Sequence, residues 1–102
     1  MTSTIKIQDE VETVEGVTVF RKGRFRMVYL DSPSNWCATL AEKDRPPKTA
    51  SIFGMVYNGS GYVNCGVYVK TNGHVEITDP YGAWISGAQW GYLIGRTICY
   101  YV

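Results

Sequence analysis

The stretch MVYNGSGYVNCGVYVKTNGHVEI, from Met55 to Ile77, decides the fold. Val63, Cys65, Val67 and Val69 alternate with Asn64, Gly66, Tyr68 and Lys70, and Val75 and Ile77 alternate with His74, Glu76 and Thr78. Successive side chains of a strand point to opposite faces, so each run reads as a strand with one face inward and one outward. Asn58-Gly59-Ser60-Gly61 and Thr71-Asn72-Gly73 stand between the runs. Glycine and asparagine adopt the backbone conformations that reverse a chain and that bulkier residues resist, so these are turns.

Outward from this stretch the same grammar continues. Ala50 to Tyr57 is mostly apolar on both faces, as expected of a strand covered by the core on one side and by a neighbouring subunit on the other. Arg45-Pro46-Pro47 removes amide donors and restricts the residue before each proline, which excludes regular helix and favours an extended entry. Val17 to Arg21 and Arg24 to Leu30 are rich in β-branched and aromatic residues around Lys22-Gly23, a hairpin signal. In the second of these strands Phe25, Met27 and Tyr29 share one face, and Arg24, Arg26, Val28 and Leu30 share the other. Asp31 to Asn35 is a loop by composition, and Trp36 to Ala41 fits either a short strand or a single helical turn. Leu93 to Val102 closes the chain, with Ile94, Ile98, Tyr100 and Val102 expected inward.

Residues 1 to 13 carry no clear period and are kept hydrated by Asp9, Glu10 and Glu12, so they read as a linker or the end of a stalk, with residues 14–102 forming the domain. No stretch sustains an apolar period of 3.6 over a dozen residues. The expected fold is therefore all-β, an antiparallel β-sandwich of about six to eight short strands. The two-sided apolar patterns in the strands holding Leu30 and Ile52 to Val56 point to a homotrimer.

Composition narrows the function. A chain of 102 residues with 45% hydrophobic content has room for one packed domain. Ten Lys and Arg against nine Asp and Glu leave a net charge of +1, without the basic footprint of a nucleic-acid binder. No apolar segment has the length of a signal peptide or membrane span, so a soluble chain without membrane insertion is expected. Cys37, Cys65 and Cys99 are widely spaced and odd in number, as expected of free thiols in a reducing compartment. His74, the only histidine, opens a strand just after a turn and has no nucleophile at a catalytic spacing. A lone histidine with scattered cysteines also lacks the clustered ligands of a zinc site, so neither metal nor cofactor is expected. Cys65, set among valines, reads as a small core filler.

The order of these pieces resembles a family. An opening hairpin, a Trp36-to-Leu40-Ala41 step, an RPPK entry at Arg45 to Lys48, the Met55 to Ile77 stretch, an aromatic loop and a terminal ICYYV at Ile98 to Val102 resemble C-terminal receptor-binding or tip domains of phage and prophage tail-fibre and baseplate proteins. The matching pieces are Arg45-Pro46, Thr71-Asn72-Gly73, Val75-Glu76-Ile77 and Ile98 to Val102, within residues 17 to 102. Asp44 stands where that family often has an aromatic, and no long fibre shaft is present. The resemblance implies a trimeric β-sandwich at the tip of a virion tail, made in the host bacterial cytoplasm. Its partners would be other tail or baseplate proteins and a host-surface glycan.

The chemistry of glycan binding selects the loop from Asp79 to Tyr92. Sugars present apolar C–H faces ringed by hydroxyls, and this loop mixes Tyr81, Trp84, Trp90 and Tyr92 with Asp79, Ser86 and Gln89; Asn58 lies on a neighbouring turn. The competing reading is architectural, with the tryptophans plugging the end of the sandwich or joining subunits in a structural trimerisation or cap domain without a ligand. A polysaccharide-degrading enzyme would need paired acids converging across a groove, and Asp31, Glu42, Asp44, Glu76 and Asp79 show no such pairing by spacing. A non-catalytic binding module is the expectation.

Overall fold

A computed structural model describes residues 9–102, and these fold into two antiparallel sheets packed face to face. The elements are β1 (Asp9–Val14), β2 (Val17–Lys22), β3 (Phe25–Leu30), β4 (Trp36–Thr39), a single 3-10 turn (Glu42–Asp44), β5 (Ala50–Tyr57), β6 (Tyr62–Val69), β7 (His74–Thr78), β8 (Gln89–Ile94) and β9 (Thr97–Tyr101). One sheet has the order β1-β2-β3-β9 and the other β4-β7-β6-β5-β8. The all-β sandwich expected from the sequence is the observed architecture, with nine strands among the described residues.

The core lies between the sheets and is built by the expected alternation. Val17, Val19, Val28, Leu30 and Ile98 from the four-stranded sheet meet Val56, Cys65, Val67, Val69, Val75 and Ile77 from the other, all essentially without solvent contact. Cross-strand rows align them: Val19 opposes Val28, which opposes Ile98. Such pairs are the unit of sheet stabilisation, so the β2-β3-β9 register is fixed by apolar burial.

Turn chemistry sets the hairpins. Gly23 and Arg24 form the β2–β3 loop, because Lys22 pairs with Phe25. The sequence placed that turn one residue earlier, at Lys22-Gly23. Gly23 has a φ of 58°, and a glycine with positive φ at the first loop position gives the right-handed twist a two-residue hairpin needs. Between β5 and β6, Asn58 Oδ1 accepts the amides of Ser60 at 2.9 Å and Gly61 at 3.1 Å.

Two sequence expectations change. Residues 9–13 pair with β2 as an edge strand, although their side chains stay hydrated as expected of a linker; residues 1–8 of that segment lie outside the described residues. Ile94 points outward and Leu93 is buried instead, because Gly95 and Arg96 reset the alternation where the chain passes from one sheet to the other. Arg21 and Arg26 both point into the sandwich. They are admitted by Asp44, which is 1% exposed and accepts from Arg21 Nε at 2.6 Å, Arg21 Nη2 at 2.7 Å and Arg26 Nε at 2.8 Å. Buried charge is tolerated when paired and hydrogen-bonded, and this cluster satisfies both conditions. Tyr100, in the same cross-strand row, donates its hydroxyl to the Asp44 carbonyl. The cluster therefore pins the 3-10 turn, and with it the entry to β5, onto the four-stranded sheet.

Candidate functional site

The loop from Asp79 to Ala88 leaves the end of β7 and folds across the outward face of the five-stranded sheet. Asp79 organises its start: its Oδ1 accepts the amides of Tyr81 at 2.8 Å and Ala83 at 2.9 Å, and its own amide donates to the Ala83 carbonyl at 2.8 Å. An aspartate bonding to backbone two residues on is a standard way of closing a tight turn. The turn carries Tyr81, 95% exposed, and Trp84, 56% exposed, out over the sheet.

Trp84 stands between two grooves. One, of about 620 Å³, is lined by Trp84, Tyr81, Tyr62 and Met55 together with the polar groups of Asn58, Asn64, Asp79 and Ser86. The other, of about 480 Å³, is lined by Trp84, Tyr68, Lys70, Glu76, Thr49 and Thr78. Both fall in the size range of small-molecule clefts, and each mixes aromatic side chains with several polar groups. Of the residues singled out from the sequence, Asp79, Tyr81, Trp84, Ser86 and Asn58 come together around the larger groove.

The other three candidates are placed differently. Trp90 is half-buried against the core, and its carbonyl accepts from Arg96 Nη2 at 3.0 Å, so its position is architectural. Tyr92 stands on β8 edge-on to Tyr57, with ring centroids 5.8 Å apart. Gln89 pairs with Tyr57 at the start of β8. All three lie on a strand that the sequence reading had included in the loop.

Residues the sequence left out complete the grooves. Tyr62, Asn64 and Tyr68 lie on the outward side of β6 and Lys70 follows directly after its end, where alternation suggested only a solvated face. Glu76 and Thr78, also read as solvated, are each 6% exposed. Lys70 Nζ lies 2.5 Å from Glu76 Oε2. The signal was present in the outward set of β6, which holds two tyrosines and an asparagine where an ordinary surface strand carries charged residues.

His74 is half-buried, with its ring 4.2 Å from Trp36 and its amide donating to Asn72 Oδ1 at 3.1 Å. It opens β7 directly after the turn, with its ring tilted against that of Trp36. Cys37 and Cys65 are buried, and burial pushes both thiols up, whereas Cys99 is exposed on the far side of the other sheet. No helix is long and apolar enough to cross a membrane among the described residues. A scan against protein-family models and a search of curated proteins gave no match to this chain.

Proposed function

We propose that this chain is a non-catalytic attachment domain that binds cell-surface carbohydrate, as the tip of a phage or prophage tail structure. The observation that carries the carbohydrate reading is the exposed Trp84 ring standing between two grooves with polar rims. An indole face takes the apolar side of a sugar out of water, while Asn64 and Ser86 replace the hydrogen bonds its hydroxyls lose. The two carboxylates near Trp84 support binding over catalysis. Glu76 lines one groove and Asp79 the other, so they do not face each other across one cleft as a glycosidase pair does. The tail-tip setting rests on the sequence resemblance alone.

A homotrimer is part of the proposal. The outward face of the four-stranded sheet carries Val11, Phe20, Met27 and Cys99 in one cross-strand row, with Phe25, Tyr29 and Tyr101 beside it. On the other sheet Phe53 is 93% exposed. Contiguous apolar surface of this kind marks contact sites, and three copies would present several weak sugar sites to one cell surface.

The competing structural-cap reading is favoured by Trp90, which packs on the core and not in a groove. A glycan array separates the two. Trp84→Ala should abolish glycan and host-cell binding while oligomer mass and melting temperature stay at parent values. Trp90→Ala should lower the melting temperature instead. A folded Trp84→Ala protein that adheres as well as the parent, or light scattering that gives a monomer at micromolar concentration and above, counts against the respective half of the proposal.

A further inference from the structure

The two grooves are stations along one strand. Asn64 lines the larger and Tyr68 the smaller, four residues apart on the same face of β6, or about 13 Å at the rise of an extended chain. That is more than one pyranose ring spans, and Trp84 stands at the boundary, lining both.

The smaller groove has its own floor and its own polar recognition. The Tyr68 ring folds back over Gly66, so closely that a Cβ added at Gly66 would lie 2.8 Å from Cε2 of the tyrosine. Because residue 66 has no side chain, the ring can lie along the sheet as a platform. Beside it, Glu76 and Lys70 form a pair whose side chains are 8% and 44% exposed. Lys70 occupies Oε2 of Glu76, and the His74 ring nitrogen at 3.8 Å is too far to hydrogen-bond Oε1. No buried side-chain oxygen or nitrogen among the described residues lacks a partner, so Oε1 keeps contact with solvent. The pair thus offers an acceptor and a donor side by side with no net charge. Adjacent hydroxyls of a sugar ring present the complementary arrangement, one donating to Glu76 and the next accepting from Lys70. An anionic sugar would face the Glu76 carboxylate, and a cationic one would face Lys70.

From this geometry we infer that the ligand is a neutral oligosaccharide of at least two residues that straddles Trp84, with one ring over Tyr68 held through adjacent hydroxyls by Lys70 and Glu76, and the next in the Tyr62 and Tyr81 groove. The inference rests on the carbohydrate reading and adds to it chain length, charge and a second subsite. Two linked subsites make affinity depend on chain length, because the second contact is intramolecular once the first is made.

The test is calorimetric titration of the full chain with neutral glucose, galactose and mannose oligosaccharides from monosaccharide to hexasaccharide, beside uronic-acid ladders of the same lengths. The expected result is an affinity gain of at least about tenfold from monosaccharide to tetrasaccharide in a neutral series. Lys70→Gln, Glu76→Gln and Gly66→Ala, which tips the Tyr68 ring off its seat, should each remove that gain. Lys70 is exposed enough that its substitution keeps the fold, so the test does not depend on the Glu76 variant. Affinity independent of length, unchanged oligosaccharide binding by folded Lys70→Gln, or preference for the uronic ladder would overturn the inference while leaving the carbohydrate reading in place. Failure of every glycan to bind would overturn both.

Discussion

Replacing Asp44 should test the charge cluster buried between the sheets. Asp44→Ala removes the carboxylate that accepts three hydrogen bonds from Arg21 and Arg26, and leaves two guanidinium groups, each 7% exposed, facing one another inside the fold. Breaking a buried pair by deleting one partner costs about 3 to 5 kcal/mol when the remaining charge is uncompensated; Glu10 and Glu12, each 3.4 Å from Arg21, keep part of one charge paired, which places the cost at the lower end of that range. Domains of this size have roughly 5 to 15 kcal/mol of stability in all. The melting temperature should therefore fall by at least about 12 °C, at about 4 °C or more per kcal/mol for a domain near this length.

The same group predicts an acid response. Burial pushes the Asp44 carboxyl up, but the hydrogen bonds and charges of Arg21 and Arg26 more than offset this and hold it below the usual carboxylate range. A carboxyl with a lowered folded pKa stabilises the fold fully above its unfolded value of about 4, and that contribution is lost as pH falls through the folded value. Asp44→Asn, which keeps the shape and discards the charge, should be less stable than the parent at pH 7 and should lose less on acidification below about pH 4. Circular-dichroism melts and urea titrations across pH 2 to about 7 read both effects. A stability for Asp44→Ala within about 1 kcal/mol of the parent would refute the claim that the cluster pins the 3-10 turn.

Three further outcomes follow from the geometry. Asp79→Ala should weaken glycan binding, whereas Asp79→Asn, which retains an oxygen for the amides of Tyr81 and Ala83, should bind as the parent does; titration of both against one glycan decides whether Asp79 acts through the turn or touches ligand. Gly73→Ala should cost about 1 to 3 kcal/mol, because Gly73 has a φ of 89° and a Cβ there would lie 2.5 Å from the Leu40 carbonyl oxygen; Gly61→Ala, with open space around it, should change urea stability by less than about 0.5 kcal/mol. Cys37 and Cys65 should resist thiol reagents until the protein unfolds, and mass-spectrometric detection of either adduct under native conditions would contradict their burial.

What the sequence revealed of the fold was what local physics writes into it. β5 and β7 were legible to the residue, β5 as an apolar run bounded by Arg45-Pro46-Pro47 and the Asn58 to Gly61 turn, β7 as strict alternation after the Thr71 to Gly73 turn. β1 was not legible, since five of its six side chains are exposed and it is held by pairing with β2, leaving no apolar face to read. Its trace was the turn at Glu15-Gly16, where Glu15 takes a φ of 54°. The inward aim of Arg21 and Arg26 was hidden for a different reason. Their partner lies 23 and 18 residues away, and no local pattern announces that two cations share one distant carboxylate.

The site divides along the same line. The loop was found by composition, since aromatics mixed with polar residues in a short span are visible without knowing the fold. The sheet beneath it was missed, because alternation sorts β6 and β7 into inward and outward sets without saying what covers the outward set. The Asp79 turn carries Trp84 over that face, where Glu76 and Thr78 are buried and the outward tyrosines of β6 line two grooves. Asp79 and Asn58 were selected as ligand contacts, yet the Oδ1 of each is committed to turn amides. A turn held this way fixes the path of the chain that carries Tyr81 and Trp84 before any ligand arrives, which lowers the ordering cost of binding. The polar residues that look most like ligand contacts in the sequence thus shape the loop, and under the proposed carbohydrate function it is the strand residues that look like plain surface that would supply the recognition chemistry.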